Sequence, residues 1–576
     1  MIMKKISSFL LLTLLLAGCY EDLGNYDYTL DSMNEITAVT FTPSVVRSAS
    51  GDIIEVQQAL DESDTHRRVD AVVEQTLAQD LEALEFYWFR TYLGEDGKAV
   101  QDTIRTKGYL EFDLPVGKAM SYNVFLQIYD STTDLSHYSG FTIKTRPVFK
   151  NSLFVMHGAD GNRKIGNIEV IGNETKIYTD VKKVTKDNNH YENATGFAYT
   201  TYINIPDNLS NIGETSALTV FCDNGETRAY DPHGMNVKFT AQQIFKPHSD
   251  NFSYSRIVQA GDPSNYTLYK VVLTDNGEVY TGNVVQALYK PGAGCENAAD
   301  VGHQTDYEIT AATITHNRFL MWDAKNSRFL YAAKEDGGFA IDEGNSIKPS
   351  YTSRNPLLDA HVRFQGLQRS PAEMTAVMGY INYRDNYSQQ NPYFIFKDEE
   401  SGDYYRYELL MQNIGDGSKV RRSRSADGEE EILSAYTIVG EKKLTGLTPT
   451  DMSTITYNSW FTTTNLFFAE GNTVYRYNVS NGDKFVVYEA PEGYDVTKIK
   501  FRTEDSSAFS SDLGLYLNIV MFNGTNGAVA EIKFTTAADV DNDFAPLFYD
   551  KDNEGNPWGE IKDVQFVNEY AYEMVY

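Results

Sequence analysis

The sequence predicts an all-β chain: an N-terminal immunoglobulin-like sandwich followed by a C-terminal β-propeller, with seven blades favoured. Three observations carry that prediction. β-rich runs, one of them strictly alternating, fill the stretch from Ile36 to about Arg146. After Val148 a hairpin-like unit recurs seven times, each copy an apolar run, a Gly/Asn-rich turn and a second run rich in Tyr or Phe. The only long apolar run sits at the extreme N-terminus, which argues against a membrane-embedded chain.

Residues 1–18 read as a bacterial signal peptide. Lys4 and Lys5 supply the positive start, and Phe9 to Leu16 an apolar stretch too short to span a bilayer. The segment ends Leu16-Ala17-Gly18-Cys19, which resembles the lipobox of bacterial lipoproteins, where the Cys is acylated and becomes the mature N-terminus. Several acyl chains on Cys19 form an anchor strong enough to hold an ectodomain on a membrane. Residues 19–35 read as an acidic tether. Its first residues, Tyr20-Glu21-Asp22, resemble the export signal that places Bacteroidetes lipoproteins on the outer face of the outer membrane.

The sandwich is expected over residues 36–147. Its runs are Ile36 to Phe41, Leu84 to Phe89, Tyr122 to Tyr129 and Phe141 to Thr145, closed by Pro147. Trp88 occupies the position of a buried central-strand Trp. One stretch fits less well: residues 69–84 read more like a helix or a long insertion, and stay unassigned. Cys19 followed by Tyr-Glu-Asp-Leu-Gly-Asn-Tyr-Asp-Tyr, the Phe86-Tyr87-Trp88-Phe89 strand, and the late strand ending at Asp130 before Ser131-Thr132-Thr133 together resemble the PKD-like family lipoproteins of Bacteroidetes. The resemblance covers residues 19 to about 146. It lacks the Trp-x-Phe-Gly-Asp stretch of ordinary PKD domains.

The propeller is expected over residues 148–576. Its copies begin at Leu153, Leu218, Lys270, Arg318, Tyr393, Leu466 and Leu517. From the turn at Gly161 to that at Gly527 they recur about every 61 residues, against roughly 40–50 for a compact blade, so long loops are expected. Irregular copies leave six or eight blades, or another all-β arrangement, as alternatives. Asn-Gly in the second and third copies is a strong hairpin signal, because a type I′ turn needs positive φ at both central positions. The run from Val564 onward could pair with the first blade and close the ring.

Chemistry is sparse. With 50 Lys+Arg against 80 Asp+Glu, a net charge of −30 excludes a phosphate-reading nucleic-acid binder. The one basic run, Lys419 to Arg424, is followed by Asp427 and Glu429 to Glu431 and reads as a self-neutralising loop. No nucleophile elbow, metalloprotease helix, phosphate loop or dinucleotide motif occurs. Cys222 and Cys295 form either one disulfide or two buried thiols. His157, at a strand end, reads as a satisfied structural residue rather than an axial ligand.

The only cofactor suggested is structural Ca²⁺. Asp539, Asp541 and Asp543 begin like a Ca²⁺ loop but have Phe544 where the turn needs Gly. Asp550 and Asp552 precede Gly555, yet Ile561 stands where a bidentate Glu belongs. For a sugar ligand the ring candidates are Trp322, Trp460 and Tyr457, with core packing as the competing reading for the tryptophans.

The resemblance implies an outer-membrane surface lipoprotein, facing the cell exterior and held by its lipid. It would be a non-enzymatic accessory of a TonB-dependent, Sus-like (SusC/SusD-like) transporter complex, with the sandwich as spacer and the propeller face capturing a glycan or glycopeptide. The alternatives are a propeller-type glycoside hydrolase or lyase, and a structural docking subunit without a small ligand.

Overall fold

The computed structural model of the chain describes residues 34–567 except for segments 49–50, 60–62, 78–80, 94–97, 107, 116–119, 172–173, 186–189, 204–214, 224–225, 241–253, 263–266, 275–278, 284–289, 292–305, 315–317, 334–338, 342–346, 350–356, 382–390, 412–421, 425–429, 433–434, 459–460, 462–463 and 503–512. The chain divides into two compact units, Met1–Arg146 and Pro147–Tyr576.

The first unit is a two-sheet sandwich. A three-stranded sheet runs in the order Ile36–Thr42, His66–Gln75, Tyr109–Asp113. A six-stranded sheet runs Val46–Ser48, Gly51–Gln57, Leu135–Arg146, Ser121–Asp130, Leu84–Leu93, Ala99–Thr106. Alternation fixes which side of each strand is buried: Tyr122, Val124, Leu126 and Ile128 all face the core beside Phe86 and Trp88. Trp88 is fully buried, its Nε1 donates to Thr106 Oγ1 at 3.1 Å, and its ring meets Phe41 and Phe141 edge-on.

The stretch 69–84 proves to be mostly strand rather than helix. Residues to Gln75 continue the strand from His66, and a single 3-10 turn, Leu81–Ala83, leads into the next strand. The run Val69-Asp70-Ala71-Val72-Val73 suits either period. Pairing on both sides, to Phe41 through Ala71 and to Leu110 through Val69, decides for strand.

The second unit forms seven four-stranded antiparallel sheets among the described residues, in chain order. Each of the seven sequence copies supplies the second and third strands of one sheet, as in Arg318–Asp323 with Arg328–Ala333 and Pro392–Lys397 with Tyr404–Met411. The Asn-Gly turns of the second and third copies lie outside the described residues. Two-stranded ribbons account for part of the excess length: Phe339–Ile341 with Ile347–Pro349, and Arg422–Arg424 with Glu430–Ile432. The second ribbon sets Ser423 opposite Glu431 and Arg424 opposite Glu430 in backbone register, while Lys419 to Arg421 lie outside the described residues.

Ring closure is made by the C-terminal strand. Ile561–Val567 pairs antiparallel with Ser152–His157 and becomes the innermost strand of the first sheet. It packs on the innermost strand of the second sheet, Ala194–Ile203, and on the seventh sheet. Its Asp563 is the joint. One carboxylate oxygen accepts the Phe197 backbone N–H of the second sheet at 2.9 Å. The other accepts Lys498 Nζ of the seventh sheet at 2.8 Å, with Lys500 Nζ at 3.6 Å. Burial by itself would raise the Asp563 carboxyl; Lys498 and Lys500 outweigh it and hold the group below its ordinary range.

Asp563→Ala removes the counter-charge of two part-buried lysines and the acceptor of the Phe197 N–H, and a loss of about 1.5–3 kcal/mol is expected in equilibrium denaturation. Because the folded pKa is depressed, Asp563 contributes its stability above the unfolded value and loses it as pH falls below about 4. Asp563→Asn should therefore flatten the acid limb of a stability–pH curve, and an unchanged limb would refute this role.

Candidate functional site

The sequence-derived ring candidates do not form a platform. Trp322 is 1% exposed, wedged edge-on against Phe329 and Phe396, both at 4.9 Å. Tyr457 is 7% exposed and lies against Tyr380 at 5.0 Å, where the fifth and sixth sheets meet. Both are inter-sheet core, because a ring of twisted sheets fills its wedges with large side chains. Trp460, Cys19, Glu21, Asp22 and Cys295 lie outside the described residues. Cys222 is a free buried thiol, pushed up to about 12 by burial.

The acidic loops are occupied by their own chain. Asp539 pairs with Arg476 at 2.6 Å. Asp541 faces Lys533 at 3.7 Å and accepts the Asp543 N–H at 3.1 Å. Asp552 is buried and accepts from Thr179 Oγ1, from the Glu554 N–H and from the Asn556 backbone and side chain. Burial opposes its ionisation, but these donors win and hold the carboxyl down to about 2. Asp550 stands at the entry of the same turn, its carbonyl accepting the Trp558 N–H at 3.4 Å. Among the described residues no three His, Cys, Asp or Glu side chains converge to hold a metal ion.

His157 is a structural residue. Its Nε2 meets the Thr179 carbonyl at 2.7 Å, Nδ1 accepts the Gly559 N–H at 3.1 Å, and its ring stands edge-on to Trp558 at 5.1 Å. This pair of partners requires the neutral ring, and burial lowers the pKa accordingly. On the innermost strands the described side chains offer one buried carboxylate, Asp563, already engaged with lysines.

The exposed chemistry lies on the outer face of the six-stranded sandwich sheet. Phe125 is 46% exposed and Tyr138 54%, and their rings stack at 5.5 Å with planes 28° apart. Phe89, paired across from Phe125, continues the row at 6.3 Å. Gly140 stands opposite Phe125, and a Cβ there would lie 3.6 Å from the ring, so the glycine leaves one side of it open.

Uncharged hydrogen-bonding groups flank the row. Gln127 donates to Ser136 Oγ at 3.0 Å, and Thr142 donates to Asn123 at 3.3 Å. Charge is confined to the margin, where Arg105 pairs with Glu85 at 2.6 Å and covers the Tyr87 ring at 5.3 Å. The Tyr87 and Tyr129 hydroxyls donate to Glu85 and Asp134, and both phenols are raised by those bonds. Among the described residues this is the one stacked ring pair with both rings exposed. Sequence reading missed it, although Phe125 stands in the polar phase of an alternating strand.

A sequence model of the PKD-like family matches residues 19–200, which include the whole described sandwich. No curated protein matches the chain. Among solved structures, the chain is similar to a quinonprotein alcohol dehydrogenase-like protein from Bacteroides thetaiotaomicron, at 10% identity over 89% of this chain and 96% of that one, with a TM-score of 0.36. An auxiliary nutrient binding protein from the same organism is similar at 10% identity over 81% and 92%, with a TM-score of 0.25. AztD from Citrobacter koseri is similar at 8% identity over 84% and 98%, with a TM-score of 0.23.

Truncating the two kinds of aromatic should separate them. Trp322→Ala is expected to cost about 3–5 kcal/mol in denaturant unfolding, and Phe125→Ala roughly 0.5 kcal/mol or less. For His157 the sign runs toward acid: with its folded pKa lowered, stability is complete above about pH 6.5 and falls as pH drops below it. Thermal unfolding of His157→Gln, which keeps a neutral amide there, should lose part of that slope between pH 7 and 5.

Proposed function

We propose that this chain is a lipid-anchored protein of the outer-membrane surface that captures a glycan or glycopeptide without converting it, as an accessory of a TonB-dependent, Sus-like transporter complex. The observation that carries the reading is the exposed Phe125–Tyr138 stack with its uncharged flanks. Aromatic faces bind the C–H faces of sugar rings, and neighbouring amide and hydroxyl groups take their hydroxyls. Capture is therefore assigned to the sandwich rather than to the propeller face, since Trp322 and Tyr457 are core residues.

Two further features support the reading. The segment Leu16-Ala17-Gly18-Cys19 supplies an acylation site, with Glu21 and Asp22 as the surface address. The PKD-like match begins at that same Cys19. On this view the propeller is the body that docks to the transporter, and no resident metal or organic cofactor takes part.

The test combines affinity and location. The acylated chain, purified from outer membranes, should co-purify with a transporter complex and retain glycan or glycopeptide ligands on an array. Phe125→Ala and Tyr138→Ala should each weaken array binding at least tenfold without loss of fold, and Cys19→Ala should release the protein from the membrane fraction. Shortening of a polysaccharide by the purified chain would refute the non-enzymatic reading.

A further inference from the structure

We infer that the outer sandwich face takes an uncharged pyranose chain with equatorial hydroxyls, lying across the strands along Phe89, Phe125 and Tyr138. This rests on the capture reading above and narrows its ligand class. The three rings come from three adjacent strands: Phe89 lies directly across from Phe125, and Tyr138, opposite Gln127, continues the row on the diagonal, with centroids 6.3 and 5.5 Å apart. A binding stripe of that form suits an extended chain that offers one flat face after another. Pyranoses with equatorial hydroxyls do so, because their axial C–H bonds point away from both ring faces while the hydroxyls project sideways. Sideways is where this sheet holds its polar groups: Thr91 and Asn123 with Thr142 on one flank, Gln127 on the other.

Charge selects against the other ligands. Recognition of a uronate or sulfate calls for an Arg or Lys free to meet it, and Arg is the better fork for a carboxylate. The guanidinium nearest the rings, Arg105, is paired with Glu85 and seated on Tyr87. Lys144 stands on the Thr142 flank opposite Ser121, four residues along the strand from Gly140 and one row outside the Asn123–Thr142 pair. A chain carrying −30 also repels polyanions at long range. A protein partner fits poorly, since a stable interface takes about 20–30 residues a side and this row offers three rings set among polar groups.

Gly140 gives the inference its sharpest handle. A Cβ there would make an ordinary contact with the Phe125 ring at 3.6 Å, so a β-branched residue suits the strand yet adds bulk against the ring a sugar would stack on. The experiment titrates the acylated full chain in detergent micelles with a β-linked gluco-oligosaccharide, a polygalacturonate fragment and a mucin-type glycopeptide, alongside Phe125→Ala, Tyr138→Ala and Gly140→Thr. The expected result is binding of the gluco-oligosaccharide alone, weakened at least tenfold by each variant, with Gly140→Thr unfolding at the same temperature as the parent or higher. Binding of the polygalacturonate or the glycopeptide instead, lost in the same variants, overturns the neutral-chain inference while capture by this face stands. No binding of any of the three, or binding indifferent to all three variants, overturns the inference and the capture reading with it. Self-association of the chain abolished by Phe125→Ala would mark a face between copies, and overturns both as well.

Discussion

A ring of sheets depends on its last strand, and here that strand is held by one buried carboxylate. Asp563 receives a backbone N–H from the second sheet and lysine ammonium groups from the seventh while itself belonging to the first. One group thereby links three sheets whose side chains also share apolar cores, the first with the second and the first with the seventh. Removing that group takes the counter-charge from two part-buried lysines and the acceptor from the Phe197 N–H, which is why the joint is costly to break even though a buried ion pair by itself adds little. The pairing of Ser152–His157 with Ile561–Val567 closes a loop of some four hundred residues, a contact that local propensity cannot favour.

Close packing around this joint explains where the large rings went. Trp558 seals the first sheet, and a Cβ at Gly166 would stand 2.3 Å from its ring. Trp322 and Tyr457 do the same service between later sheets. Each wedge between twisted sheets needs volume at its wide end, and Trp and Tyr supply it. The abundance of Tyr in the sequence is therefore a property of the ring's geometry in large part, and a poor guide to ligand chemistry.

The sandwich shows the reverse case. Within Tyr122–Tyr129 one phase is wholly apolar and buried, while the other reads Asn123, Phe125, Gln127, Tyr129. An aromatic ring in the solvent phase was visible in the string itself. What the string lacked was company: Tyr138 stands on the next strand of the same hairpin and Phe89 on an earlier strand, and only pairing in register sets them beside Phe125. Gly140 reads in sequence as a weak point in a strand, and in the sheet it is the open side of the row.

The division between string and structure follows from range. Alternation, turn residues and recurrence are local, so the all-β class, the core phase of the sandwich strands, and the seven hairpins were all determined by the sequence. The strand His66–Gln75 was decided by its neighbours, because its run suits two periods and pairing on both sides selects one. Likewise the position of the closing strand and the Thr179 bond to Asp552 depend on residues hundreds apart, and the burial of Trp322 and Tyr457 on rings from neighbouring sheets. Side-chain exposure is a property of what lies opposite, and that was settled only when the sheets closed on one another.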